Sequence, residues 1–124
     1  MKVLCGIDII DVKRIRNSVL GNGFKERVFT ESEISYCEKR KKGAFESYAA
    51  RFAVKEAFAK ALGTGIAAGL QLKDIEVVRE DGKPELKLHN SAVRILEEKG
   101  NYTMDVSISH TSDTAAAVVV IIIF

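Results

Sequence analysis

Residues 44–65, AFESYAARFAVKEAFAKALGTG, constrain the fold more than any other part of the sequence. The segment is rich in Ala, Glu, Lys and Leu and contains no proline, which predicts one long helix. On a helical wheel Glu56 falls inside an apolar stripe, and apolar residues on the far side predict that the helix is packed on both sides. Because burying an ionised acid is costly, Glu56 needs a cation or a metal as its partner.

Two interpretations of Glu56 are open. Lys60, one turn along, is the nearest cation, and an i,i+4 pair of this kind is common on surface helices. The alternative is a functional carboxylate. A second acid, Asp8, lies in the apolar segment VLCGIDII (residues 3–10), which predicts a buried strand. Asp11 is better placed to cap the following helix, so Asp8 has no evident structural role.

The size and composition of the chain predict a single small domain over residues 1–124, with 47% hydrophobic residues to form a core. Cys5 and Cys37 lack a C-x-x-C spacing and no signal peptide is evident, so we expect buried thiols in the reducing cytoplasm. The apolar tail, residues 115–124, is shorter than the roughly 20 residues of a membrane span. It predicts a strand that is central in a sheet or covered by another subunit.

The charge of the chain is unevenly distributed, with a net charge of +5 on residues 1–60 and −3 on residues 61–124. A basic half indicates an anionic partner, which can be a phosphate, a nucleic acid or an acidic protein. The short helix after Asp11 turns Lys13, Arg14 and Arg16 away from its apolar side. This face is either simply solvated or a docking surface.

The remaining segments carry ordinary signals of secondary structure. Thr30 followed by Glu33 predicts a capping box at the start of a helix. Residues 74–79 and 85–89 predict a hairpin around the turn DGKP. Asn90 is expected to cap another short helix, and residues 102–109 alternate like a strand that pairs with the apolar tail.

Two carboxylates in apolar surroundings, Asp8 and Glu56, are too few for a closed calcium site. They suit Mg²⁺, which keeps several waters and shares the oxygens of a phosphate, so the implied substrate is a phosphate ester. Lys60 can neutralise a transferring phosphoryl group, and His110 can donate to a phosphate or act as acid or base. A structural role for His110 is the alternative.

Four segments in order resemble the holo-[acyl-carrier-protein] synthases, the small bacterial phosphopantetheinyl transferases. They are GIDIIDVKRI (residues 6–15), RFAVKEAFAKALGTG (51–65), GKP (82–84) and SISHT (107–111). The resemblance covers nearly the whole chain, and KEAFAKALGTG is its most specific part. It departs from the family at Leu4 and Cys5, before the aspartate, and at Asp11, where glutamate is commoner. The implied fold is a single α+β domain with an antiparallel sheet packed on the long central helix.

The resemblance implies transfer of the 4′-phosphopantetheine group from coenzyme A to a serine of apo acyl carrier protein, with release of adenosine 3′,5′-bisphosphate. It implies that Mg²⁺ is held by Asp8, Glu56 and the coenzyme A pyrophosphate, and that Lys60 lies on the reacting phosphate. Glu56 or a metal-bound water would take the serine proton. Coenzyme A contacts are implied for Arg51, Lys60, Gly63, Thr64, Pro84, His110 and Thr111.

The resemblance also implies two kinds of protein partner. The basic helix with Lys13, Arg14 and Arg16 would dock the acidic helix of the carrier protein, and the chain would form a homotrimer with active sites between subunits. Neither a nucleic acid nor a membrane is an expected partner, since nucleic-acid binding favours exposed aromatic residues on strands. A structural trimer without catalysis is the other alternative, but it leaves Asp8 and Glu56 unexplained.

Overall fold

The structure, a computed structural model, describes residues 1–63, 67–80 and 82–124. The strands and helices, in chain order, are β1 (Lys2–Asp11), α1 (Val12–Leu20), α2 (Phe24–Val28), α3 (Glu31–Lys39), α4 (Ala44–Leu62), β2 (Ile75–Glu80), β3 (Lys83–Leu88), α5 (Asn90–Glu97), β4 (Tyr102–His110) and β5 (Thr114–Ile123). Short 3-10 turns lie at Lys41–Gly43 and Leu72–Asp74. The chain is thus an α+β fold with antiparallel strands, as predicted.

Helix α4 forms the centre of the core. It packs on β1 and β5 on one side and on α1 and α3 on the other. Tyr48, Val54 and Phe58 are buried on it almost completely, which confirms that the helix is apolar on both sides because both sides are covered. The helix ends at Gly63, whose φ of +77° is a conformation that glycine adopts at little cost.

Strand β5 lies between β1 and β4 and pairs antiparallel with both, so the apolar tail is central in its sheet, as predicted. Its buried residues, such as Val119 and Ile121, face α4, while Val118 and Val120 on the opposite face are half-buried. The outer face of the sheet continues onto β1, where alternate residues point away from α4 and are exposed. These are Val3, Cys5, Ile7 and Ile9.

The expectation that both cysteines are buried is therefore wrong for Cys5. Cys37 on α3 is fully buried, but Cys5 lies on the outer face of β1 and is exposed. Sequence pattern did not separate the two because every neighbour of Cys5 is also apolar or glycine. The two sides of a strand differ in burial only through what packs on them.

The predicted hairpin is present, with β2 and β3 paired from Ile75 opposite Leu88 to Glu80 opposite Lys83. Asp81, in the predicted turn, lies outside the described residues. The capping box is confirmed: the Thr30 hydroxyl accepts the N–H of Glu33, and the Glu33 side chain accepts the N–H of Thr30. No helix in the described residues is both long and apolar enough to cross a membrane.

Two predicted helix caps are wrong. Asp11 occupies the position before α1, but its side chain caps no N–H in the described part of the chain. The amide of Val12 donates to the carbonyl of Asp113. Asn90 lies inside α5, and His89 occupies the position before the helix. The first turn of α5 is held by Asp74, whose carboxylate accepts the N–H of Ser91 at 3.1 Å.

Candidate active site

Asp8 lies on the inner side of β1, opposite Ala117 of β5, and its side chain faces α4. The side chain is 12% exposed, and its Oδ1 accepts a hydrogen bond of 2.8 Å from Nζ of Lys60. Its Oδ2 is buried without a hydrogen-bond partner among the described residues. Lys60 also donates to the carbonyl of Ile7 at 3.2 Å. The pairing of Lys60 with Glu56 was one of two interpretations that the sequence left open. In the described residues Lys60 forms its ion pair with Asp8 instead, because the packing of β1 on α4 brings the two side chains together.

The contact between β1 and α4 depends on Gly6. A Cβ at this position would overlap the carbonyl oxygen of Ala57 and lie 2.6 Å from the amide nitrogen of Ala61. Backbone can approach backbone this closely only where no side chain intervenes. Gly6 therefore allows Asp8, two residues further along the strand, to reach Lys60 on the helix.

Glu56 lies on α4 one turn before Lys60 and is half-buried. Burial raises the pKa of Glu56, and the charge of Asp8 raises it further, while Lys60 and Arg14 act in the opposite direction. The four side chains therefore lie within electrostatic reach of one another. A carboxylate with a raised pKa in such a group is suited to take up a proton.

The carboxylates of Asp8 and Glu56 fit a divalent cation that takes some of its coordinating oxygens from a substrate. Oδ2 of Asp8 is a buried acceptor that has no donor among the residues the structure describes, and Glu56 is partly withdrawn from water beside it. No cluster of three or more His, Cys, Asp or Glu side chains suited to a metal occurs in the described residues. Two carboxylates with phosphate and water oxygens match the requirements of Mg²⁺.

A second group of predicted residues converges on a cavity of about 130 Å³ between α4 and the β2–β3 hairpin. We call it the arginine cavity; its lining includes Arg40, Arg51, Arg79, Pro84 and His110. Arg51 is only 3% exposed, and its guanidinium lies 4.1 Å from the centroid of the Tyr36 ring. Its Nε is buried and has no hydrogen-bond partner in the described ranges. The cavity is therefore suited to an anion or a polar heterocycle.

One acid lies among these cations. Nδ1 of His110 is 3.7 Å from Oε2 of Glu46, and the same nitrogen is 3.3 Å from the carbonyl of Thr111. Glu46 and Ser47, at the start of α4, also line the cavity. Sequence reasoning missed Glu46 and Ser47, although their place in the first turn of the predicted helix was visible.

Two of the remaining predicted contact residues, Gly63 and Thr111, are not part of the lining of the arginine cavity. Gly63 ends α4 just beyond Lys60. The hydroxyl of Thr111 accepts the N–H groups of Asp113 and Thr114 and so closes the turn between β4 and β5. Thr64 lies outside the described residues. A coenzyme A role for each of these residues stays a prediction.

The basic helix is present as predicted. Lys13, Arg14 and Arg16 are exposed on α1, while Val12, Ile15 and Val19 form its buried side. The guanidinium of Arg16 lies 5.7 Å from the ring centroid of Phe45 on α4. Arg14 is close enough to Glu56 to lower its pKa, so the basic face borders the carboxylates.

The two groups of residues lie at opposite edges of the sheet. Asp8 is on β1 and His110 is on β4, with β5 between them. Along α4, Arg51 and Lys60 are nine residues apart, which is about 13 Å of helix. One chain thus brings Asp8, Glu56 and Lys60 together at one place. It brings Arg51, Pro84 and His110 together at a separate place, the arginine cavity.

Sequence reasoning also missed a buried ion pair. Lys55, next to Glu56, is fully buried, and its Nζ lies 2.9 Å from Oε1 of Glu33 on α3. Glu33 was recognisable only as a capping residue. Its second role depends on the packing of α3 on α4, which no local pattern reports.

Comparison with known proteins identifies the family of the chain. A family model described as the 4′-phosphopantetheinyl transferase superfamily matches residues 4–119. The holo-[acyl-carrier-protein] synthase of Ruminiclostridium cellulolyticum is 44% identical over 124 residues, which cover 98% of this chain and 92% of the relative.

Solved structures show the same likeness. The ACPS–CoA complex of Chronobacterium ammoniagenes superposes with a TM-score of 0.88 and 26% identity, covering 100% of this chain and 99% of the other. The holo-[acyl-carrier-protein] synthase of Helicobacter pylori in complex with coenzyme A has a TM-score of 0.78 and 32% identity, with 94% and 97% coverage. The chain therefore belongs to the 4′-phosphopantetheinyl transferase superfamily and is an enzyme of its holo-[acyl-carrier-protein] synthase family.

Proposed function

We propose that the chain transfers the 4′-phosphopantetheine group of coenzyme A to a serine hydroxyl of apo acyl carrier protein. The reaction depends on Mg²⁺ and releases adenosine 3′,5′-bisphosphate. The observation that carries the proposal is the grouping of Asp8, Glu56 and Lys60, in which Oδ2 of Asp8 has no hydrogen-bond partner within residues 1–63, 67–80 and 82–124. Relatives solved with coenzyme A bound support the choice of substrate.

The transfer forms one bond and breaks one. The serine oxygen attacks the phosphorus that bears the pantetheine group, and the bond from that phosphorus to the bridging pyrophosphate oxygen breaks. Glu56, whose pKa burial raises, accepts the proton of the serine hydroxyl. Lys60 remains a cation, because its hydrogen bond to Asp8 and the charge of Asp8 raise its pKa, and it stabilises the charge on the transferring phosphate.

Asp8 and Glu56 would hold the Mg²⁺ ion. When bound, the ion supplies positive charge that neutralises the pyrophosphate and the developing negative charge. Asp8 would contribute the oxygen that Lys60 does not use. The protein thus separates two tasks: one oxygen of Asp8 orients Lys60, and the other is available to the metal.

The arginine cavity would take the nucleotide end of coenzyme A. Arg51 and His110 supply donors for a phosphate, and Pro84 gives an apolar wall. The cavity is far smaller than the roughly 300–1,000 Å³ of typical ligand pockets. The arginine cavity alone therefore does not enclose coenzyme A.

A homotrimer resolves this mismatch. The Asp8 edge of one subunit would face the arginine cavity of the next, so that each site uses both groups of residues. The outer face of the sheet supports such an assembly, since Val3, Ile7 and Ile9 are 60%, 66% and 70% exposed. Contiguous apolar surface of this kind marks interfaces. Sedimentation or light scattering that finds an active monomer would rule out a shared site.

The carrier protein would dock on the basic face of α1, beside Glu56. Lys13, Arg14 and Arg16 are exposed there and complement an acidic partner helix. The proposed reaction is tested by mass spectrometry of an apo carrier protein incubated with coenzyme A, with and without Mg²⁺. The carrier should gain one phosphopantetheine group only when the metal is present, and chromatography should recover adenosine 3′,5′-bisphosphate in equal amount.

A further inference from the structure

Lys55 carries a charge into the interior of the protein, near the middle of α4. Its side chain and that of Glu33 are each 0% exposed, and Nζ lies 2.9 Å from Oε1 of Glu33. Nζ also donates to the backbone carbonyls of Leu72 at 3.0 Å and Ile75 at 2.6 Å. All three donors of the ammonium group are used, and two of them hold the chain that leads into β2.

Glu33 adds further hydrogen bonds to β2, and we call the ion pair of Lys55 and Glu33 with its bonds to this strand the tether. Its Oε2 accepts the N–H of Val77 at 2.9 Å, and its Oε1 accepts the N–H of Thr30 as well as the Lys55 ammonium. The ion pair therefore holds β2 at two successive points, the carbonyl of Ile75 and the amide of Val77. Both charges are compensated, as buried charges must be.

The tethered strand is a wall of the arginine cavity. Val77 and Arg79 of β2, with Pro84 of β3, line the cavity opposite Arg51 of α4. Arg51 precedes Lys55 by one helical turn, so the tether fixes the hairpin to the helix directly beside the cavity. The width of the cavity therefore depends on where β2 is held.

Stability alone does not require this pair. Withdrawing two charges from water is costly, and apolar side chains of similar volume often stabilise a core equally well. Burial also lowers the pKa of Lys55, an effect that the charge of Glu33 opposes. What Lys55 and Glu33 provide, and apolar residues cannot, is a set of hydrogen bonds of fixed length to the backbone of β2.

We propose that Lys55 and Glu33 are positioning residues that hold the β2–β3 hairpin at the distance from α4 at which the arginine cavity accepts the nucleotide end of coenzyme A. The inference rests on the proposed function, because that function names the ligand of the cavity. Neither residue touches the substrate. They act through the hairpin residues Val77, Arg79 and Pro84.

The test replaces Lys55 by methionine, which keeps an unbranched apolar chain and removes all three donors. We expect the KM and the calorimetric Kd for coenzyme A to rise about tenfold, the lower end of the effect of losing an orienting partner. The kcat at saturating coenzyme A should stay within about twofold and the KM for carrier protein should not change. Leu96→Ala, in the buried face of α5, is the matched control: it lowers Tm but leaves the coenzyme A constants unchanged.

A Lys55→Met enzyme that loses stability but keeps the wild-type KM and Kd for coenzyme A would overturn the inference. If this variant does not fold, the Glu33→Gln variant is tested instead. Its Kd for coenzyme A and the rate of hydrogen exchange at its Val77 amide are then measured. Faster exchange with a raised Kd supports the tether, whereas a wild-type Kd despite faster exchange contradicts it. Failure of the wild-type enzyme to modify any carrier protein counts against the proposed reaction instead, and the coenzyme A Kd still tests the tether.

Discussion

Nζ of Lys60 donates a 2.8 Å hydrogen bond to Oδ1 of Asp8, while Oδ2 of the same carboxylate is buried and has no partner in the residues that the structure describes. One oxygen is satisfied by the protein, and we propose that a bound cation satisfies the other. An unsatisfied buried acceptor costs about 1–3 kcal/mol, so a cation bound there offsets a penalty already present in the fold.

Asp8→Asn tests this division of the carboxylate. The amide keeps the shape of the side chain but removes the charge that a metal and Lys60 both require. We expect phosphopantetheine transfer to fall by about 100-fold or more at any Mg²⁺ concentration, with Tm unchanged or higher. Asp105→Asn, at an exposed acid paired with Lys83, is the control and should be fully active. Normal Mg²⁺ dependence in Asp8→Asn would refute the metal assignment.

The Lys60→Arg variant tests whether Lys60 contacts the reacting phosphate or only forms an ion pair with Asp8. Arginine keeps the charge but differs in shape and reach, so the pair with Asp8 can re-form while the contact to the reacting phosphate is misplaced. We expect kcat to fall by about tenfold or more and the Kd for coenzyme A to change little. Steady-state kinetics and calorimetry measure the two quantities. Lys25→Arg, at the ion pair with Glu38, controls for the substitution itself.

An unchanged kcat in Lys60→Arg would return this residue to a purely structural ion pair. Its contribution to stability is small in either case, since the side chain is 56% exposed.

Gly6→Ala tests whether the site depends on the close packing of β1 on α4. The new methyl group would overlap the backbone of Ala57 and push the strand away from the helix. We expect a loss of about 1–3 kcal/mol in the free energy of unfolding, together with lower transfer activity, because Asp8 moves with the strand. Gly43→Ala, where a Cβ meets only the flexible side chain of Arg40, should be tolerated. Equal effects from both changes would exclude a special role for Gly6.

Thiol labelling tests the proposed assembly without an activity assay. Burial raises the pKa of Cys37 to about 12, so this thiol stays protonated and shielded in the native protein at pH 8. Cys5 is exposed on the face that a second copy would cover. We expect Cys5 to react quickly in dilute protein and slowly above the assembly concentration, and Cys37 to react only after unfolding. Mass spectrometry counts the labels, and a Cys5 rate independent of concentration would argue against this interface.

The long helices and strands were predictable because the spacing of their apolar residues and the length of each apolar segment indicate the type of secondary structure. Residues 115–124 are apolar without interruption and residues 118–123 are all β-branched, and residues 115–123 lie in the central strand β5. Asp8 and Glu56 were recognisable because each is an acid inside an apolar run. Their convergence was not, since it depends on Gly6 allowing β1 to touch α4.

Other features depend on partners that are distant in sequence. Lys55 follows two apolar residues and precedes Glu56. Nothing in this local sequence indicates that its ammonium group is buried and paired with Glu33, 22 residues away. Cys5 illustrates the complementary difficulty. An apolar strand is equally consistent with burial inside one chain and with burial between chains, so the sequence alone does not say which face of β1 is covered.

The basic face of α1 borders the carboxylates, so reversing one of its charges has two separable effects. An acidic carrier helix gains Coulomb attraction from Arg14 that salt screens within about 8–10 Å at physiological ionic strength. Arg14 also lowers the pKa of Glu56, so its loss raises that pKa. The first effect changes the KM for carrier protein, and the second moves the acidic limb of the kcat profile to higher pH.

For Arg14→Glu we therefore expect the KM for carrier protein to rise about tenfold, or roughly 1.4 kcal/mol, while the KM for coenzyme A barely changes. Added salt should weaken carrier binding to the wild-type enzyme, because screening removes the attraction that Arg14 supplies. The KM values of the wild-type enzyme and the Arg14→Glu variant for carrier protein should therefore become more similar. Lys99→Glu, an exposed charge reversal after α5, controls for net charge and should leave both constants unchanged. If Arg14→Glu instead weakened coenzyme A binding and spared the carrier protein, the basic face would belong to the nucleotide site.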